Sequence, residues 1–67
     1  MIEPGPYRHF KGGQYEVVGT ARHSETEESL VVYRAADGSM WVRPEAMWRE
    51  VVEHDGRTVA RFTPETD

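Results

Sequence analysis

The sequence predicts an all-β protein, a small barrel of about five short strands with one short helical turn. Two Asp-Gly pairs, Asp37-Gly38 and Asp55-Gly56, each separate runs rich in β-branched and aromatic residues, the strongest short-range signature of a tight hairpin. Between Gln14 and His23 small or apolar residues alternate with polar ones, the period of a strand with one covered face. The implied strands are short and joined by glycine-rich turns, which suits a sheet that wraps on itself.

The opening Met1-Ile2-Glu3-Pro4-Gly5-Pro6 holds two prolines and a glycine and is expected to be an irregular arm. Tyr7 to Phe10 forms a short strand, with Tyr7 and His9 on one side and Arg8 and Phe10 on the other. Lys11-Gly12-Gly13 is a turn, because paired glycines admit positive φ. Along Gln14–His23, Tyr15, Val17, Gly19, Ala21 and His23 line the inner side of a tightly curved sheet, and Gly19 marks a bulge or sharp bend. Ser24 to Ser29 is a polar loop with no apolar member.

The central hairpin follows. With Asp37 and Gly38 as a two-residue loop, Arg34 faces Trp41, Tyr33 faces Val42 and Val32 faces Arg43. One side of the hairpin then carries Val31, Tyr33, Ala35, Met40, Val42 and Pro44 and reads as core. The other carries Leu30, Val32, Arg34, Trp41 and Arg43, an apolar surface edged by guanidinium groups. Pro44-Glu45-Ala46-Met47-Trp48 makes one helical turn, since proline suits the first helical position and Glu45 the amino end of the dipole. A longer helix over Pro44–Glu53, packed on a three-stranded sheet, is the alternative. Arg49–His54 pairs with Thr58–Phe62 across the second Asp-Gly turn, setting Val52 opposite Val59 and Val51 opposite Ala60. The tail from Thr63 frays. Residues 1–67 form a single domain, irregular at 1–6 and 63–67, whose architecture is read as an SH3-like barrel. Its expected core is Tyr15, Val17, Val31, Tyr33, Val42, Met47 and Val59, with Met47 and Trp48 closing one end.

A chain of 67 residues with 37% hydrophobic content has material for one core, and at this size only about 60% of the unfolded surface is buried on folding. The absence of cysteine excludes disulfides and thiolate zinc sites and fits a reducing compartment. No apolar run approaches the roughly 20 residues of a membrane span, and the first residues have neither the basic start nor the apolar stretch of a signal peptide. The reading is a soluble cytoplasmic protein with no membrane partner. Net charge is −4: residues 1–43 hold five Lys/Arg against six Asp/Glu, and residues 44–67 three against six. Counterion release needs clustered cations, so this balance argues against nucleic acid as a partner.

Four ordered motifs carry a resemblance. They are His9-Phe10-Lys11-Gly12-x-x-Tyr15-x-Val17, then Ala21-x-His23-Ser24-Glu25-Thr26-x-Glu28, then Val31-Val32-Tyr33, then Trp41-Val42-Arg43-Pro44-x-x-Met47. Together they resemble the bacterial family catalogued as domain of unknown function 1653, from about Tyr7 to Phe62. The resemblance implies a short, single-domain protein with an SH3-like barrel. It carries over no functional residues. This chain departs from the family pattern in a hairpin tip shorter by about two residues and in Trp48, where phenylalanine is usual.

His23-Ser24-Glu25 invites a catalytic reading, with histidine as base and serine as nucleophile. Adjacent residues at a strand end do not aim three side chains at one point, so a turn stabilised by Ser24 and Thr26 hydroxyls is preferred. Glu25, Glu27 and Glu28 with His23 lack the alternating oxygen ligands and the glycine of a cation loop, and no metal or cofactor is expected. Lys11-Gly12-Gly13 lacks the glycine spacing and the following helix of a phosphate loop. The Arg34, Trp41, Arg43 surface differs, because an indole between guanidiniums offers stacking and cation–π contact. The expected function is a non-catalytic binding module for a protein or small-molecule partner. Trp41 serves as platform, Arg34 and Arg43 contact anions, and Tyr7, His9, His23 and Glu25 stand nearby. The alternatives are a small enzyme or metal site built on the His23–Glu25 loop, or a structural homodimer without ligand.

Overall fold

The computed structural model describes residues 2–65. The strands are β1 (Gly5–His9), β2 (Gln14–Arg22), β3 (Ser29–Ala35) and β4 (Met40–Pro44), then, after helix α1 (Glu45–Trp48), β5 (Val51–His54), β6 (Arg57–Ala60) and β7 (Phe62–Pro64). The protein is all-β apart from that one helical turn. Five strands form an antiparallel sheet in the order β4-β3-β2-β1-β7, and β5-β6 is a separate two-stranded hairpin. The longer helix is excluded, because the chain is extended again at Val51, where two β-branched valines favour a strand.

The ends are more ordered than expected. Gly5 and Pro6 belong to β1 and pair with Val17 and Glu16. Thr63 and Pro64 belong to β7 and pair with Arg8 and Tyr7. Pro6 has no N–H to give, and its carbonyl accepts from the Glu65 N–H at 2.9 Å. Residues 1 and 66–67, part of the same expectation, lie outside the described residues.

The core is Ile2, Tyr7, Val17, Val31, Tyr33, Trp48 and Phe62, with Tyr15 packed against it. Trp48 is its hub. The indole stacks on Phe62 with ring centroids 3.7 Å apart, meets Tyr7 edge-on at 5.5 Å and lies tilted against Tyr33 at 5.1 Å. These partners come from β7, β1 and β3, so one side chain delivered by α1 fills the hollow of the sheet. Three core expectations fail: Val42 and Met47 are exposed, and Val59 is only half-buried. Met47 sits one position before Trp48 on a helix of a single turn, and only one of the two can point inward.

Val42 is exposed because of the central turn. Gly38 N–H donates to the Ala35 carbonyl and Ala35 N–H to the Ser39 carbonyl, both at 2.9 Å, so the loop has three residues rather than two. Gly38 alone takes the left-handed conformation there, at φ 87°, the arrangement of a type I turn closed by a glycine bulge. Tyr33 therefore pairs with Trp41, Val32 with Val42 and Val31 with Arg43. A one-residue shift turns every side chain of a strand to the other face. Trp41 and Arg43 thus lie on the side of Val31 and Tyr33, while Met40 and Val42 lie outside with Val32 and Arg34.

The second Asp-Gly pair behaves as read: Asp55 and Gly56 have φ 52° and 76°, and Val52 pairs with Val59 and Val51 with Ala60. The bulge at Gly19 is present as well, since the β2–β3 register shifts between Val17 and Gly19. Beyond it Thr20, not Ala21, shares the inner side with its partner Val31, which corrects the single inner face expected for the whole strand. Arg61 joins the two sheets. Its N–H donates to the Glu50 carbonyl and its own carbonyl accepts from Phe10 N–H, each at 2.9 Å.

Candidate functional site

The surface expected from the hairpin is divided by the turn. Arg34 lies outside and is held by Glu16 at 3.1 Å. Arg43 is on the inner side, its guanidinium carbon 5.5 Å from the centre of the Phe62 ring. Trp41 is exposed and lies on the same side as Arg43 but not between two arginines. Its indole N–H donates to Ser39 Oγ at 2.7 Å, and Ser39 donates in turn to Asp37 Oδ1 at 2.6 Å. Asp37 Oδ1 also accepts from Ser39 N–H. These bonds, the side-chain one first, hold the Asp37 carboxyl below its usual range. The tip is a relay that fixes the indole.

The remaining expected residues separate. Tyr7 is a core residue whose hydroxyl donates to the Glu3 carbonyl at 3.1 Å. His23 Nδ1 accepts from the backbone N–H of Glu25 and of Thr26, at 3.1 and 3.3 Å, and Thr26 Oγ1 accepts from Glu28 N–H at 3.2 Å. The His23–Glu25 segment is a self-capped turn, with both side chains in solvent. Among the described residues no hydrogen bond or ion pair links it to Arg43, and no three His, Asp or Glu side chains gather as a metal site.

His9 and Arg43 do come together, with residues not singled out from the sequence. His9 meets Phe62 edge-on at 5.0 Å and Phe10 at 4.6 Å. Phe10 in turn meets His54 of β5 edge-on at 5.3 Å, and Lys11 Nζ lies 5.7 Å from the Phe10 ring centre. Between the β1–β2 turn and the β5–β6 hairpin lies a cleft of about 420 Å³, lined by Arg8, His9, Phe10, Lys11 and His54 among others. Burial first, and then the charges of Arg61, Arg43 and Lys11, push the His9 imidazole below its ordinary pKa of 6.5. Its Nδ1 accepts from Lys11 N–H at 3.2 Å, so the neutral ring carries its proton on Nε2.

Two cations of this group are already neutralised: Arg8 pairs with Glu65 at 2.7 Å, and Arg61 pairs with Glu50. Lys11 and Arg43 have no carboxylate partner among the described residues. A chain of net charge −4 thus gathers positive potential around one half-buried imidazole. Lys11 read as part of a turn, and Phe10 and His54 are far apart in sequence. Only the packing of the hairpin against the first turn joins them.

The fold and the cleft define a small all-β domain with an aromatic-lined hollow, edged by Lys11, between the first turn and the β5–β6 hairpin. The chain belongs to the family of proteins of unknown function DUF1653, whose model matches residues 5–64. It is similar to a crystal structure of a DUF1653 family protein from Bordetella bronchiseptica, at 36% identity and a TM-score of 0.83, covering 96% of this chain and 95% of that one. None of the curated proteins matches. No helix among the described residues is long and apolar enough to cross a membrane.

Proposed function

We propose that this protein is a non-catalytic binding module that takes an anionic ligand with a flat, aromatic portion in the cleft beside His9. The observation that carries the reading is the cleft lined by His9, Phe10, Lys11 and His54, in which Lys11 has no carboxylate partner among the described residues. Lys11 at the cleft and Arg43 close by against Phe62, both without a carboxylate partner among the described residues, raise the local concentration of anions and favour their capture. Phe10, His9 and His54 supply ring edges and faces for an aromatic group. The His23–Glu25 turn supports a binding role over catalysis, because the Nδ1 a base would use is engaged by two backbone donors. An SH3-like barrel is supported by the way Trp48 and Phe62 draw the sheet around one aromatic stack.

The test is a titration of isotope-labelled protein with phenyl phosphate and with inorganic phosphate, followed by amide and imidazole shifts. Phenyl phosphate is expected to move His9, Phe10, Lys11 and His54, more strongly than inorganic phosphate does and less as salt is raised. Lys11→Gln is expected to weaken binding about tenfold, the scale of one charge-assisted contact. An absence of shifts at millimolar ligand, or shifts indifferent to Lys11→Gln, overturns the reading.

A further inference from the structure

Met40, Trp41 and Val42 are consecutive on β4 and are 49%, 55% and 58% exposed. Neighbouring residues of a strand point to opposite faces, so nothing docked on a single face of the sheet could cover all three. A strand laid along the edge covers them together. β4 ends the five-stranded sheet, and hydrogen-bonded and non-bonded pairs alternate along an antiparallel ladder. Ala35 and Ser39 are a bonded pair, so Tyr33–Trp41 and Val31–Arg43 are bonded pairs too. Met40 and Val42 therefore direct their backbone groups away from β3, to an open edge. Such edges are commonly blunted by lysine, proline or a bulge; β4 carries a proline only at its last position, Pro44, and Met40-Trp41-Val42 before it has none of these.

We infer that β4 pairs antiparallel with β4 of a second copy of this chain, about a two-fold axis at Val42. A two-fold interface must be self-complementary, and Met40-Trp41-Val42-Arg43-Pro44 is so in one register. With the axis at Val42, each Trp41 stands opposite the partner's Arg43 in a non-bonded pair, where side chains approach most closely. Arg43 lacks a carboxylate among the described residues, and the indole is already fixed by Ser39 and Asp37. Two cation–π contacts form at little entropic cost. Val42 exchanges both backbone bonds with its counterpart, and Met40 N–H donates to the partner's Pro44 carbonyl, which leaves no donor of Pro44 unpaired. On the outer side valine meets valine and methionine meets proline. An axis at Arg43 would oppose two guanidiniums, and an axis at Trp41 would leave Arg43, which rests on Phe62 of its own chain, with no aromatic ring across the two-fold.

Sedimentation velocity across a micromolar to millimolar concentration series tests the pairing, since a short edge contact lies at the weak end of the interface range. Wild-type protein is expected to pass from monomer to dimer within the series. Val42→Lys and Val42→Glu, at a solvent-facing position, are expected to keep the wild-type circular dichroism and to dimerise at least tenfold more weakly. Their equimolar mixture is expected to recover a dimer, because lysine then meets glutamate at the axis. A wild type that stays monomeric throughout overturns the inference, as does a Val42→Lys protein that dimerises normally. A mixture no tighter than its components removes Val42 from the axis and overturns it also. Neither variant touches the His9 cleft, so phenyl phosphate binding by the monomeric variants reports separately on that site.

Discussion

Replacing Trp48 tests the packing on which everything else rests. The indole is 1% exposed and stacked on Phe62 at 3.7 Å, with Tyr7 and Tyr33 against it. Trp48→Ala removes the hub, and such truncations cost about 3–5 kcal/mol. A chain of 67 residues, at about 0.05–0.15 kcal/mol per residue, has only about 3–10 kcal/mol to lose, so this variant is expected to forfeit from about a third to all of its stability. Trp48→Phe is the more searching change. The lost ring atoms leave a cavity costing on the order of 1–2 kcal/mol. Against this, the indole Nε1 is buried without a hydrogen-bond partner among the described residues. Removing an unsatisfied buried donor returns about 1–3 kcal/mol. The two terms nearly cancel, and Trp48→Phe is expected to lie within about 1 kcal/mol of wild type. Urea unfolding followed by far-ultraviolet circular dichroism measures both variants. A Trp48→Phe loss above about 3 kcal/mol would refute the reasoning, because it would mean that the N–H is satisfied or the stack is worth far more than its area.

Three further outcomes follow. Val42→Ala is expected to cost less than about 0.5 kcal/mol, as at other surface positions, and a loss of 1–3 kcal/mol in chemical denaturation would restore the two-residue turn and a buried Val42. Asp37→Ala cuts the relay to Trp41, and in a Trp48→Phe background it should lower the anisotropy of the remaining tryptophan. Acidification through the depressed Asp37 titration, below the ordinary aspartate range, should do the same in the unmutated relay, while unchanged anisotropy would show the indole fixed by other contacts. The pKa of His9 is lower in the folded chain than in the unfolded one. Below 6.5 the unfolded state therefore takes up the proton first, and stability falls as the pH drops through that window. His9→Gln is expected to flatten that slope in pH-dependent urea midpoints, and a slope left intact assigns it elsewhere.

The fold was legible where local chemistry decides it. Pro44 and Glu45 mark the start of a helical turn that runs to Trp48, and Gly19 marks a bulge that is present. The two Asp-Gly pairs show where legibility ends. At Asp55-Gly56 both residues enter the left-handed region and the two-residue turn forms. At Asp37-Gly38 the next residue is Ser39, whose N–H and hydroxyl both bind the aspartate. Asp37 keeps a negative φ, the loop gains a residue and β4 turns over. That single difference moved Val42 out of the expected core and parted Arg34 from Trp41. Phe62 and Tyr7 lay in stretches read as the end of a hairpin strand and the start of a short one. Their burial depends on β7 leaving the hairpin to pair with β1, a non-local event. The cleft was hidden for the same reason, because His9 and Arg43 approach each other only through Phe62, and Phe10 meets His54 only when the second hairpin docks.

The most direct test of the account is the pKa of His9 measured by imidazole NMR titration, in free protein and with phenyl phosphate present. Free protein is expected to show a value below the ordinary 6.5, because burial and the Arg61, Arg43 and Lys11 charges all disfavour the imidazolium. A bound anion offsets those charges, so the ligand is expected to raise the value, and affinity must rise as pH falls through it. A His9 that titrates at its ordinary value, or one that phenyl phosphate leaves unmoved, would contradict the claim that this cleft gathers cations to hold an anion.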